Sequence, residues 1–387
     1  MVSVRKPSEK YTLSEKIIYF LISLWAILSL YSWANNICLY VFLPLSFVLV
    51  LSQNRDIYET NRFLKLLFVL YFWFLISSFF SVDVNESFLQ VKRTVATFLL
   101  CTVFASIGEK RPVVGYVIYL LFFIALLYYA YFNILSIIDV SEERMQDDNV
   151  NANMFAYYTS FTTFALFILS YCSTNKKRLF NVLFLGMIPL SFIVALLTGS
   201  RQTLLVQIPL IASLLGVKYV RDGKGVLVFS LIILVAILLF FSFGEGMYEH
   251  STLAHRNELS VGDDERTFLI KDAFRVGFNN IVLGVGPGCY KLVNPTHHYA
   301  HCAYAELIAC SGLPALAIYV SMLIIFIKTQ IKRYYASKNR LFLSFALFGV
   351  IFSFQNLFYA FYLLPWLMSF FVLVSSHSNS IFKKKLG

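Results

Sequence analysis

The residues that could carry out chemistry are concentrated between Arg201 and His301 of a chain that is otherwise largely apolar. Arg201 and Arg266 have planar guanidinium groups, which bind oxyanions such as phosphate through paired hydrogen bonds. His301 can accept a proton near neutral pH, because the unperturbed pKa of histidine is about 6.5. These residue types predict an oxyanion site and a proton acceptor within one segment.

Each of these residues also has a plainer interpretation. Arg201 lies between two apolar runs, and its side chain could equally extend from a helix end to the membrane interface. In the functional interpretation, Ser200 adds a hydroxyl donor near a helix N-terminus. Arg266 follows three acidic residues and is explained equally by a salt bridge within its loop. Arg93 is either an anchor at the membrane interface or a ligand-binding residue.

The remaining candidates are a glycine-rich turn, a histidine cluster and an asparagine. The run Gly284-Val285-Gly286-Pro287-Gly288 predicts a tight turn with close backbone approach, and it lacks the flanking strand and helix of a dinucleotide site. His297, His298 and His301 do not complete a zinc site of the usual type, so we predict no metal. Asn153 precedes an apolar run, where it either caps a helix or binds sugar hydroxyls.

The composition indicates which elements must position these residues. Of the 387 residues, 59% are hydrophobic and 14% are charged, whereas soluble domains carry roughly 25% charged residues. The six cysteines show neither disulfide nor zinc spacing. The net charge of +11 is explained by basic loops on one side of a bilayer, so no nucleic-acid partner is predicted. The chain is therefore expected to be an all-α polytopic membrane protein.

Twelve apolar segments are each long enough to cross a bilayer, which needs about 20 residues. They lie near 17–33, 36–52, 64–81, 92–107, 113–138, 153–172, 180–199, 202–220, 225–243, 300–327, 341–357 and 359–376. We divide the chain into N-terminal transmembrane helices (1–243), one long outer loop with short helices (244–299), and C-terminal transmembrane helices with a basic tail (300–387).

The distribution of basic residues predicts the orientation. By our assignment, 23 of the 32 Lys and Arg residues fall in alternate loops that share one side with both termini. Because cytoplasmic loops are enriched in basic residues, both termini are expected to be cytoplasmic. Nine basic residues then fall on the outer side: Lys92, Arg93, Arg144, Arg201, Arg256, Arg266, Lys271, Arg275 and Lys291.

Within the outer loop, the segment from Glu265 to Phe278 has a helical pattern. Phe268, Leu269, Ala273, Phe274 and Val276 recur at helical spacing. Since the basic residues of this segment lie largely off the apolar stripe, we expect a helix that lies along the outer membrane surface.

The order of the polar groups along the chain is distinctive. They are Asn151 to Tyr157 at the entry to a span, Thr198-Gly199-Ser200-Arg201, Glu265-Arg266, Leu283 to Gly288, His301, and Ser311-Gly312-Leu313. This order resembles the O-antigen ligase and O-antigen polymerase superfamily of bacterial envelope proteins, most specifically within residues 151–315.

The resemblance implies a glycosyltransferase on the outer face of the bacterial inner membrane. The implied donor is a glycan on undecaprenyl diphosphate, and the implied acceptor is lipid A core or another glycan, with no cofactor. The catalytic residues of the family correspond to Arg201, Arg266 and His301; Cys302 stands where the family usually has asparagine. We expect further contacts with substrate from Arg93, Asn153, Ser200, Arg275, Gly286 and Gly288.

Two alternatives to a ligase remain open. A polymerase that joins repeat units would use the same residues. A polysaccharide flippase or secondary transporter would instead require charges at the membrane midplane and an internal repeat. No two-fold repeat is visible, and the unusual basic residues cluster at the outer rim, which favours chemistry at the membrane surface.

Overall fold

The computed structural model describes residues 11–53, 57, 61–134, 152–173, 176–197, 201–220 and 262–382. Within these ranges the chain forms helices and no strands, as the composition predicts. The helices are α1 (Leu13–Leu28), α2 (Ser32–Ile37), α3 (Leu43–Gln53), α4 (Arg62–Ser78), α5 (Val84–Lys110), α6 (Pro112–Ile134), α7 (Ala152–Cys172), α8 (Lys177–Leu197), α9 (Arg201–Tyr219), α10 (Gly262–Asn279), α11 (Tyr290–Val293), α12 (Ala303–Ser337), α13 (Arg340–Gln355) and α14 (Pro365–Phe382). A π-helical turn (Cys38–Phe42) joins α2 to α3, and a 3-10 turn (Phe361–Leu363) precedes α14.

The described helices include five that are long and apolar enough to cross a membrane. They are Trp33–Gln53, Val84–Lys110, Pro112–Tyr129, Lys177–Ala195 and Ala303–Ser337. Two shorter apolar helices are Leu205–Tyr219 and Arg340–Gln355. The chain is therefore a membrane protein. The number of twelve spans and the orientation stay predictions, and the expected segment 225–243 lies outside the described residues.

The chain divides into two compact units. The first comprises Met1–Phe122, Asp264–Phe326 and Asn356–Gly387, and the second comprises Phe123–Asp263 and Ile327–Gln355. The three-part division that we predict from the sequence concerns the membrane topology, and it stays a prediction.

Several helices of the first unit begin after a residue whose side chain caps the helix N-terminus. Thr12 and Glu15 form a capping box at α1, with hydrogen bonds of 3.1 and 3.2 Å. Asp83 accepts a hydrogen bond of 3.0 Å from the backbone N–H of Glu86 and so caps α5. Asn61 caps α4 in the same way, and its amide also donates to a side chain of α14.

The core of the first unit forms where α5 packs closely on α14. A Cβ atom on Gly108 would lie 2.9 Å from the carbonyl oxygen of Leu373, so the glycine permits this approach. Trp366 stacks on Phe122 with ring centroids 4.0 Å apart and contacts Trp25 at 4.5 Å. Such aromatic pairs add to the stabilisation gained from burial.

In the second unit, aromatic contacts join α7 to α13 and to α8. Phe164 of α7 stacks on Phe348 of α13 with ring centroids 4.5 Å apart. Phe167 of α7 meets Phe184 of α8 edge-to-face at 5.6 Å. Large apolar side chains such as Val182 remain exposed on the outer surface, as expected of helices in contact with lipid.

Candidate active site

The candidate site of the first unit is built around a break in α12. The sequence predicts one span over 300–327, but the backbone at Gly312 is not helical, with φ 76° and ψ −178°. Pro314, two residues later, has no N–H to continue the helical hydrogen bonds. The predicted span therefore overlaps α12, and the conformation of Gly312 divides this helix.

The glycine-rich turn bonds to the backbone groups that this break leaves without helical partners. The N–H groups of Val285 and Gly286 donate to the carbonyl oxygens of Ala309 and Cys310, each at 2.9 Å. The N–H of Leu313 donates to a carbonyl before the turn at 2.7 Å. Irregular backbone is tolerated at membrane depth only where such groups are satisfied. The turn thus stabilises the broken helix.

Glycine is required in this turn because the surrounding atoms are so close. A Cβ atom on Gly286, whose φ is 108°, would lie 1.9 Å from the hydroxyl oxygen of Ser81. At Gly288 the nearest atom would be the Cβ of Gln90 at an ordinary contact distance of 3.4 Å, and it is the φ of 76° that favours glycine there. The predicted tight turn with close approach is confirmed, and the group that approaches Gly286 is the protein's own serine. Substrate contacts by Gly286 and Gly288 stay predictions.

The predicted amphipathic helix of the outer segment is confirmed as α10, and part of its apolar stripe packs against protein. Its position along the outer membrane surface stays a prediction. Leu269 and Ala273 are buried in a cluster with residues of the first part of α12, including Ala305 and Ala309. The pattern of apolar residues indicates a buried face without indicating what covers it. Here the stripe packs against protein, and Phe268 of the same helix is exposed.

A buried carboxylate, Asp272, joins α10 to α11. It forms an ion pair with Arg275, whose side chain is mostly exposed, and accepts a hydrogen bond of 3.1 Å from Tyr290. The Tyr290 hydroxyl also lies 2.8 Å from the carbonyl oxygen of Leu269. Burial and the neighbouring Asp272 raise the pKa of Tyr290, which therefore stays protonated as a donor. Arg275 thus pairs with Asp272 of its own helix, and a contact between Arg275 and substrate stays a prediction.

His301 lies at the end of a short loop that Asn294 organises. The Asn294 amide is buried and donates to the carbonyl oxygens of Tyr290 and His298, at 2.9 and 2.7 Å. Both His297 and His301 adopt left-handed backbone conformations, with φ of 58° and 53°. Such conformations cost about 1–3 kcal/mol for a residue other than glycine, and they persist where the surrounding structure imposes them.

The imidazole of His301 is half-buried and packs against Tyr299, with ring centroids 4.0 Å apart. Tyr299 in turn meets Tyr359 edge-to-face at 6.0 Å. His297 and His298 are exposed, and Nδ1 of His297 lies 3.2 Å from the carbonyl oxygen of Lys291. Among the three histidines, His301 is therefore the one whose ring is partly enclosed by the protein.

Glu306 lies in the first turn of α12, which follows this loop in the chain. Its side chain is 4% exposed, and one carboxylate oxygen accepts a hydrogen bond of 2.7 Å from the backbone N–H of Ala300. The other oxygen lies 3.5 Å from the thiol of Cys310. Lys291 of α11 forms an ion pair of 2.7 Å with Glu86. Cys302 is itself buried.

The predicted basic residues of the first unit occupy different surroundings. Arg266 lies in α10 and is half-buried. Arg93 does not begin a span as predicted, because α5 starts at Val84 and places it in the third turn, where it is exposed. One guanidinium nitrogen of Arg93 lies 3.5 Å from the side-chain oxygen of Gln90, the residue that also faces Gly288. Arg93 and the glycine-rich turn are thus linked through Gln90.

The other predicted residues lie in or beside the second unit. Arg201 is the first residue of α9, and Asn153 is the second residue of α7. Ser200 lies outside the described residues. Proximity of Arg201 to His301 therefore stays a prediction. In the described part of the chain, no three His, Cys, Asp or Glu residues gather as metal ligands.

Sequence reasoning did not assign a role to Asn294, Asp272, Tyr290 or Glu306. All four are buried in the structure, and a polar residue within an apolar run is the sequence signal that could have selected Glu306. Glu306 is the clearest case, because a carboxylate within an apolar helix requires a partner. The identity of that partner, the N–H of Ala300, depends on a loop conformation that local sequence patterns do not specify.

Comparison with known proteins agrees with the predicted family. The search among curated proteins returned no significant match. A family model described as O-antigen ligase matches residues 186–320, a segment that includes Arg201, Arg266 and His301. This match supports the O-antigen ligase and polymerase superfamily that the order of polar groups predicts.

Proposed function

We propose that the chain is an O-antigen ligase-type glycosyltransferase of the bacterial inner membrane. It transfers a glycan from undecaprenyl diphosphate to an acceptor hydroxyl of lipid A core on the outer face. The family match over residues 186–320 is the observation that carries this proposal. The enclosed, conformationally fixed His301 within that segment supports it.

His301 acts as the general base in this proposal. The acceptor oxygen attacks the anomeric carbon of the donor, and the hydroxyl proton passes to the imidazole. The bond between the anomeric carbon and the phosphate oxygen breaks, and its electron pair leaves with undecaprenyl diphosphate. Direct displacement inverts the configuration at that carbon.

Arg201 and Arg266 stabilise the negative charge that develops on the leaving diphosphate. A guanidinium group suits this task because it bonds two phosphate oxygens at once and remains charged at all physiological pH values. Charge stabilisation aimed at the leaving group acts most strongly in the transition state, where that charge is largest. The diphosphate is already a good leaving group, so the mechanism needs no separate acid and no metal.

The experiment is a transfer assay with purified protein, lipid-linked glycan and lipid A core. We expect His301→Ala to insert into the membrane and to bind the donor. Transfer by this variant should fall by about 10²- to 10⁴-fold, the usual cost of removing a general base. If His301→Ala turns over at the wild-type rate, histidine is not the base and the proposed mechanism is wrong.

His297→Ala and His298→Ala are the matched controls. Both side chains are exposed and lie within four residues of His301, so the same substitution tests general damage to the loop. We expect both variants to retain most activity. If the His297 or His298 variant is inactive and the His301 variant is active, the base is not His301 and the proposed assignment is wrong.

The same assay distinguishes a ligase from a polymerase. One reaction contains lipid A core as acceptor, and a second contains only lipid-linked glycan. A ligase yields product in the first reaction. Longer lipid-linked glycans in the second reaction, without transfer to lipid A core, would show a polymerase instead.

A further inference from the structure

We infer that Glu306 is a positioning residue for His301, because its buried carboxylate fixes the peptide unit that precedes the histidine. The inference rests on the proposed function, since it concerns the histidine that we assign as base. Glu306 acts through the backbone of Ala300, because one of its carboxylate oxygens accepts a hydrogen bond of 2.7 Å from the Ala300 N–H.

The surroundings of Glu306 would suit an apolar side chain. Ala300, Ala305 and Leu307 are fully buried around it, and a leucine would fill the same space without the cost of burying a charge. Its two oxygens are directed at the Ala300 N–H and at the thiol of Cys310. The stronger of these contacts fixes the loop.

The loop is held on both sides of Tyr299. Asn294 binds the carbonyl oxygen of His298 at 2.7 Å, and Glu306 binds the N–H of Ala300. The next residue, His301, has a left-handed backbone with φ 53°, a conformation that is uncommon for residues other than glycine. Removing the Glu306 contact should therefore let the peptide before His301 relax and displace the imidazole.

Two substitutions separate positioning from charge. Glu306→Leu removes the acceptor and leaves the Ala300 N–H buried without a partner. Glu306→Gln keeps an oxygen that can accept from Ala300, and its new amide N–H can donate to the sulfur of Cys310. Leu307→Ala is the matched control, because it truncates a fully buried neighbour on the same turn of α12.

The experiment measures kcat and KM for the lipid-linked donor in each variant, with thermal unfolding measured in parallel. We expect Glu306→Leu to lower kcat by about 10- to 100-fold with KM nearly unchanged, the effect of losing one hydrogen bond to a charged group. Glu306→Gln should remain within a few-fold of the wild type. Leu307→Ala should lower the unfolding temperature without this loss of kcat.

Three results would overturn the inference. Glu306→Leu could turn over normally, Glu306→Gln could lose as much activity as Glu306→Leu, or Leu307→Ala could reproduce the same loss of kcat. If Glu306→Leu does not fold, Glu306→Asp replaces it, because the shorter side chain withdraws the acceptor from Ala300. If His301→Ala is inactive and Glu306→Leu is active, only this inference is wrong. If His301→Ala is active, the assignment of His301 as the base is wrong.

Discussion

Replacing Gly312 with alanine should destabilise the protein strongly, because this residue divides α12. Its φ of 76° and ψ of −178° lie in a region that is essentially restricted to glycine, which costs another residue about 1–3 kcal/mol. The added Cβ would also lie 2.2 Å from the carbonyl oxygen of Val282. Relieving that overlap costs a further ~1–3 kcal/mol. We therefore expect the free energy of unfolding to fall by about 2–6 kcal/mol.

Gly216→Ala is the matched control for this substitution. Gly216 lies inside α9, and a Cβ atom there would meet nothing within 4 Å. Since alanine favours a helix over glycine by about 1 kcal/mol, this variant should be unchanged or slightly stabilised. Thermal unfolding of the two purified variants in the same detergent measures the difference. Equal unfolding temperatures for Gly312→Ala and the wild type would refute the assignment of α12 as a helix broken at Gly312.

Two further predictions concern the arginines and the orientation. Arg201→Lys and Arg266→Lys should each lose most transfer activity although the charge is kept, because lysine cannot form the paired hydrogen bonds of a guanidinium group. Arg178→Lys, at an exposed position of α8, is the control. Full activity in both site variants would show that these arginines serve only as membrane anchors. A topology reporter fused near Asp264 should report the outer side and one fused after Lys338 the cytoplasm, and two reporters on the same side would contradict the predicted orientation.

The helical pattern predicted α10 but did not identify the residues that bury its apolar face. Leu269 and Ala273 stand at the spacing of one buried stripe. A stripe of this kind indicates that a surface is covered, and a bilayer and a neighbouring helix satisfy it equally. The covering residues come from α12, which lies more than 20 positions later in the sequence, so no local pattern could identify them.

The sequence alone determined that this is a helical membrane protein, where a glycine-rich turn occurs, and which side chains could bind a diphosphate or accept a proton. Those properties follow from composition, local spacing and residue chemistry. Only the tertiary structure decided that Gly312 breaks α12, that the glycine-rich turn satisfies the carbonyls of Ala309 and Cys310, and that Glu306 holds the peptide before His301. These features depend on hydrogen bonds between backbone segments, and the donor and acceptor groups of the backbone are the same in every residue except proline. Which of them meet is therefore fixed by the fold and not by the local sequence.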